Sequence, residues 1–255
     1  GDGGEMSLVL SIFPGIGLMD MAFEQEGFCV VRGPDLLWGG DIKTFHPPAG
    51  KFDGVIGGPP CQAFSSLAPL NRSLGHTPKF GNLIPEFERV VAEANPEWFL
   101  MENVPAAPVL SVPGWTGRDI LIDDIAVGGV TSRRRRFTFA VKLPRVVQSF
   151  SVQLVALQKQ YTPERTVTGD ARIASVSQQQ KSKRDGDGTL PNTGTRRSLQ
   201  ATCELQGLPS MFFHESPFTE SAKRQMLGNG VPLPMGLAIA RAVKKALDGQ
   251  SSPDH

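Results

Sequence analysis

Two residues in this chain have the type and the setting to do chemistry. One is a cysteine behind a pair of prolines, the other a glutamate at a strand end. Cys61 stands in Gly58-Pro59-Pro60-Cys61-Gln62-Ala63-Phe64-Ser65, directly after Phe52-Asp53-Gly54-Val55-Ile56, which reads as a short buried strand. Proline fixes φ and offers no N–H to a ladder, so the pair stops the strand and stiffens the loop. A thiol on a rigid loop at a strand end is placed to act as a nucleophile. A small buried cysteine is the plainer reading of the same stretch. Glu102 follows the strand Trp98-Phe99-Leu100-Met101 and opens Glu102-Asn103-Val104. Burial between apolar walls would raise its pKa and let it donate or share a proton near neutrality. A cysteine and a glutamate at two strand ends suggest covalent catalysis assisted by an acid.

Three further motifs surround that pair. Phe13-Pro14-Gly15-Ile16-Gly17 follows the first strand and opens a helix. Its glycines allow a tight turn and close backbone approach, and the helix start offers free N–H groups. The third glycine of the dinucleotide fingerprint is missing, which disfavours NAD. Asp35 ends the second strand, where a carboxylate can take both hydroxyls of a ribose; Asp41-Ile42 follows on a short element. Ser132-Arg133-Arg134-Arg135-Arg136 leads into another strand. Alternation would put Arg134 and Arg136 on one face and Arg133 and Arg135 on the other. Two adjacent guanidiniums bind phosphate or pin a carbonyl. Gly228-Asn229-Gly230-Val231-Pro232 reads as a turn before a last helix.

The elements that must position these residues alternate. Strands are expected at 7–13, 28–31, 52–56, 98–101 and 136–141, and helices at 18–26, 85–94 and 232–247. That pattern predicts an α/β fold with a doubly wound, mainly parallel sheet, whose ligands sit at the carboxyl ends of the strands. The 255 residues suit one large domain with a small appendage. The three cysteines, Cys29, Cys61 and Cys203, are far apart and lack metal spacing, so neither a disulfide framework nor a metal site is expected. That cysteine usage reads as a reducing, intracellular setting, and no apolar run is long enough to span a bilayer, so no membrane partner is expected. Residues 1–5, ahead of Met6, read as an added tail. Net charge is +1, yet residues 129–200 hold 14 Lys and Arg against 4 Asp and Glu. One basic segment on a near-neutral chain points to a polyanion met on one side.

Taken in order, FPGIG (13–17), GGPPCQAFS (57–65), ENV (102–104), SRRRR (132–136), LQGLP (205–209) and GNGVP (228–232) resemble the cytosine-5 DNA methyltransferase family. The resemblance implies a Rossmann-like methyltransferase domain over 6–143. A reduced target-recognition segment over 144–196 follows, then a return of the chain over 197–248 that ends in a helix packed on the catalytic domain. It implies Cys61 as nucleophile, Glu102 as the residue that engages the cytosine ring, and Arg134 and Arg136 as the family's paired arginines. S-adenosylmethionine would meet Phe13, Gly15, Gly17, Asp35, Asp41, Ile42, Pro59, Asn229 and Val231. Gln62, Ser65, Arg133, Arg135, Arg196 and Arg197 are the expected contacts to double-stranded DNA. The chain departs from the family pattern in three places. Ser132 stands where glutamine is usual, Ala201 stands where an acidic residue is sought, and the lobe that reads DNA is short. A short recognition site and a bacterial or phage-infected cytoplasm follow from that compactness. A monomer is expected, with completion by a second chain left open. An RNA (tRNA) cytosine-5 methyltransferase and a catalytically silent nucleic-acid binder of the same fold remain as alternatives.

Overall fold

The strand Leu8–Ile12 (β1) is apolar at every position but Ser11 because both of its faces are covered. The computed structural model describes residues 6–60, 81–155, 163–164 and 197–249. Among these, β1 is joined by β2 (Cys29–Arg32), β3 (Gly54–Gly57), β4 (Trp98–Asn103), β5 (Thr116–Asp123) and β6 (Arg134–Val141). The sheet order is β2-β1-β3-β4-β6-β5. β1 to β4 pair in parallel, and β6 is antiparallel to both β4 and β5. The expected doubly wound, mainly parallel sheet is therefore present, with β6 alone reversed.

Two helical layers cover it. On one face α1 (Leu18–Gln25) and α6 (Leu233–Asp248) bring Phe23, Met235, Ile239 and Val243 onto Val9, Ile56, Leu100, Phe137 and Phe139. On the other, α2 (Ile84–Ala94) brings Phe87, Val90 and Val91 onto Leu10, Val55, Phe99 and Met101. α2 has Pro85 in its first turn, where the missing N–H costs nothing, and is capped by Asn95 in the left-handed region, φ 50°. A smaller cluster gathers α4 (Leu199–Leu205) and α5 (Glu220–Asn229) around Leu18, through Cys203, Leu208, Phe213, Met226 and Leu227.

The expected boundary after Leu143 falls inside packed structure. The short helix α3 (Pro144–Ser149) sets Val146, and Phe150 just after it, into the main core. Phe150 stacks on Phe139 with centroids 4.5 Å apart. Residues 144–152 therefore pack with the catalytic body.

Trp98 opens the strand that ends in Glu102, and it is seated over a glycine. A Cβ at Gly54 would lie 2.2 Å from the Trp98 ring, which is itself fixed against Phe23 and Phe139. Gly54→Ala is expected to lower stability by about 2–3 kcal/mol through overpacking. Urea unfolding would show this as a lower midpoint at unchanged slope.

Candidate active site

β1 connects outward to β2 on one side of the sheet and has β3 on the other, so the strand order switches between β1 and β3. A crevice opens at the carboxyl ends of such strands. The loop leaving β1 is bent by three residues of positive φ: Phe13 (56°), Gly15 (56°) and Gly17 (78°). For Phe13 this conformation is strained, and such strain concentrates at functional sites. Asp35 holds the loop from below: its carboxylate accepts from the N–H of Gly15 at 2.9 Å and of Leu37 at 2.8 Å. The Trp38 indole N–H donates to the Gly15 carbonyl at 3.0 Å. A Cβ on Gly15 would meet no heavy atom within 4 Å, so that side of the loop is open.

Gly17 is the opposite case. A Cβ there would lie 2.6 Å from the Arg32 guanidinium, which crosses the loop to pair with Asp20 at 3.0 Å. Asp20 is fully buried in the first turn of α1 and also accepts from the Ser11 hydroxyl. Burial pushes its carboxyl up, against the pull of Ser11 and Arg32. Sequence reading missed this strut, although Ser11 and Arg32 are direct partners in the β1–β2 register.

Beyond β2, Asp35 and Asp41 each cap a single 3-10 turn. Asp41 accepts from the Lys43 N–H at 3.0 Å, and Ile42 is buried. Arg89 of α2 locks this turn, donating to the carbonyls of Ile42 at 2.7 Å and Phe45 at 3.0 Å.

Glu102 is the penultimate residue of β4 and is buried. It lies opposite Phe137 across the β4–β6 ladder, so it shares a face with Arg135. Arg135 Nε is 2.8 Å from Glu102 Oε1. Arg133 also faces it: that side chain is buried and donates to the carbonyl of Gly228 at 2.9 Å. Desolvation pushes the Glu102 carboxyl up, opposed by the charges of Arg135 and Arg133. The loop leaving β3 presses on the same group, since a Cβ on Gly58 would lie 2.8 Å from Glu102 Oε2. Pro59 beside it is buried. Cys61, Gln62, Ser65 and Arg196 lie outside the described residues.

Arg134 and Arg136 take the other face. Arg134 makes a two-pronged pair with Asp123, at 2.7 and 2.6 Å, and is exposed. Arg136 lies opposite Asn103 and donates to the Pro105 carbonyl at 2.8 Å.

A model of the C-5 cytosine-specific DNA methylase family matches residues 39–108. The chain is similar to the Type II methyltransferase M.HgiDI of Herpetosiphon aurantiacus, 25% identical over 297 aligned positions that cover 94% of each protein. It is also 33% identical over 119 residues to the Type II methyltransferase M.HgiGI of the same organism, covering 38% of this chain and 90% of that protein. The chain belongs to the cytosine-5 DNA methyltransferase family. With membership comes the reaction class, methyl transfer from S-adenosylmethionine to carbon 5 of cytosine in DNA. Among solved structures, the methyltransferase EhMeth of Entamoeba histolytica superposes with a TM-score of 0.63 at 14% identity, covering 98% of this chain and all of that one, which shows the shared fold.

The residues of this methyltransferase fit its donor. Asp35 spends one lone pair of each carboxylate oxygen on backbone N–H groups, leaving capacity to accept from ribose hydroxyls. The Gly15 loop is open on one side, and Asn229 ends α5 with Val231 two residues beyond it. The geometry departs from two sequence expectations. Arg135, expected to contact DNA, pairs with Glu102, and Arg133, expected likewise, is buried and donates to the Gly228 carbonyl. Arg134 and Arg136, expected to be the pair in the site, are spent on Asp123 and on Pro105. The pair that faces the acid is shifted by one residue, and with it Thr131 replaces Ser132 as the residue two positions ahead of the first arginine. Arg197, another expected DNA contact, is paired with Glu164 at 2.8 Å.

Proposed function

We propose that this methyltransferase acts on cytosines flipped out of double-stranded DNA at a short recognition site, through a covalent adduct to Cys61. The observation that carries the reading is Glu102, buried between Arg133 and Arg135 with the Cys61 loop starting against it at Gly58.

Carbon 5 of cytosine is a poor nucleophile. Addition of the Cys61 thiolate to carbon 6 makes the ring enamine-like and sends charge towards ring nitrogen 3. A free thiol has a pKa of about 8.5, so the site must favour the thiolate, and the two arginines supply positive charge for that. Glu102 engages ring nitrogen 3 and the amino group, with its proton placed at nitrogen 3 as charge builds there. Arg135, held against Glu102, is positioned to meet the ring carbonyl. The bound donor supplies the methyl group. Loss of the carbon-5 proton to a base then restores the double bond and expels the Cys61 thiolate. Gly15, Gly17, Phe13, Asp35, Asp41, Ile42, Pro59, Asn229 and Val231 hold the donor in this reading. Flipping costs a few kcal/mol, offset by phosphate contacts from the basic segment. The protein works as a monomer in a bacterial or phage-infected cytoplasm; among the described residues no helix is long and apolar enough to cross a membrane.

Incubation with labelled S-adenosylmethionine, duplex DNA and transfer RNA in one tube tests this. The expected result is 5-methylcytosine in the DNA at one short sequence. Label in the RNA alone, or in neither polymer with folded protein, would refute it.

A further inference from the structure

The turn that carries Asp41 and Ile42 is held only weakly by its own bonds. Residues 33–53 run from β2 to β3, and their regular structure is two single 3-10 turns, Leu36–Trp38 and Ile42–Thr44. A connection between parallel strands usually carries a helix, whose own ladder would fix such residues. A lone 3-10 turn lacks that support. Ile42–Thr44 is closed by two backbone bonds, from the Thr44 N–H to the Asp41 carbonyl and from the Phe45 N–H to the Ile42 carbonyl, both at 3.2 Å.

Arg89 supplies the missing support from α2. Its Nη2 donates to the Ile42 carbonyl at 2.7 Å and its Nη1 to the Phe45 carbonyl at 3.0 Å, so one guanidinium holds both ends of the turn. The guanidinium is itself fixed along the helix. Nε donates to Glu86 Oε2 and Nη1 to Glu93 Oε1, each at 2.9 Å, from three residues before and four residues after. Glu93 Oε2 lies 3.0 Å from His46 Nδ1, and the Gly50 N–H donates to the Ala94 carbonyl at 2.9 Å, so α2 carries this segment further along as well. A planar fork can meet two carbonyls and two carboxylates at once, which an ammonium on a flexible stem cannot. The Ile42 side chain is buried in the same core cluster as Ile84 and Phe87 of α2, which seats the turn from its other side.

We propose that Arg89 is a positioning residue for the methyl donor: its fork keeps the Asp41–Ile42 turn in the shape that binds S-adenosylmethionine. This rests on the reading above that Asp41 and Ile42 hold the donor. Arg89 acts on binding and not on the chemical step, because its contacts are with the turn and with α2, away from Glu102.

The test compares Arg89→Met and Arg89→Lys in the full chain, with S-adenosylmethionine affinity measured by titration calorimetry. Met keeps the apolar stem and removes the fork. Lys keeps the charge beside Glu86 and Glu93 but cannot span both carbonyls. Donor Kd is expected to rise about tenfold in both variants. DNA affinity, and kcat at saturating donor, are expected to stay within about twofold, the pattern of lost binding rather than lost chemistry. A donor Kd within about twofold of normal in folded Arg89→Met would overturn the proposal, and so would full donor affinity in Arg89→Lys. If Arg89→Met does not fold, Arg89→Lys decides alone. Asp41→Asn, titrated alongside, tests the donor reading separately. Donor affinity lost there and kept in Arg89→Met sinks the clamp only; affinity unmoved in Asp41→Asn sinks the reading of the turn, and the clamp with it.

Discussion

Glu102→Gln is expected to fold, to bind S-adenosylmethionine as the unsubstituted protein does, and to lose methyl transfer by about a thousandfold or more. An amide keeps the size of the side chain but cannot pass a proton to ring nitrogen 3. It also leaves Arg135 without the anion it meets at 2.8 Å. The pH dependence follows from the same group. Burial pushes the Glu102 carboxyl above the usual carboxylate range, so the proton-bearing form persists upward in pH. The limb set by Glu102 should fall as pH rises through that raised value, because the deprotonated acid cannot donate. The Gln variant should lack this limb. A variant that keeps more than a tenth of normal kcat would show that Glu102 only shapes the pocket.

The second large effect separates two neighbouring arginines. Arg135→Ala is expected to lower kcat/KM about a hundredfold, since it removes the charge that positions Glu102 and faces the developing negative charge. Arg134→Ala, one residue earlier, is expected to stay within about threefold, because an exposed ion pair contributes little. Parallel kinetics on the two variants, with donor affinity measured for each, decide the register. If Arg134→Ala is the crippled variant and Arg135→Ala is not, the inward pair is the one that alternation over Arg134 and Arg136 implies.

That register shows where sequence reading stops. Four consecutive arginines carry no mark of which two face inward. Only pairing fixes it: Glu102 opposite Phe137 and Asp123 opposite Arg134. A slip of one residue sends every side chain to the other face. The long apolar strands β1 and β4 and the helices α1, α2 and α6 were legible to within about two residues, because their burial writes a period into the sequence. β5 was not, because Thr116–Asp123 is an edge strand, mostly exposed, with Gly117, Arg118 and Asp119 in its middle. The short helices α4 and α5 carry little periodicity of their own and are held by Leu18 and the cluster around it.

The placement of Glu102, Asp35 and the glycine loop at strand ends was legible in the sequence. The groups behind them were not. Asp20, Arg32 and Asp124 look like ordinary turn or helix charges in the sequence; the structure shows Asp20 and Asp124 buried, with Arg32 reaching in from the surface to pair with Asp20. Arg89 looks like a solvated helix residue, yet it clamps the turn that carries Asp41 and Ile42.

The most direct measurement uses duplex DNA in which the target cytosine is replaced by 5-fluorocytosine, mixed with the protein and S-adenosylmethionine. Fluorine at carbon 5 cannot leave as a proton does, so an adduct formed at carbon 6 cannot resolve. A methylated protein–DNA complex that survives denaturation is expected with the unsubstituted chain and not with Cys61→Ala. No such complex with folded, donor-binding protein, or one that persists in Cys61→Ala, would contradict covalent catalysis by Cys61.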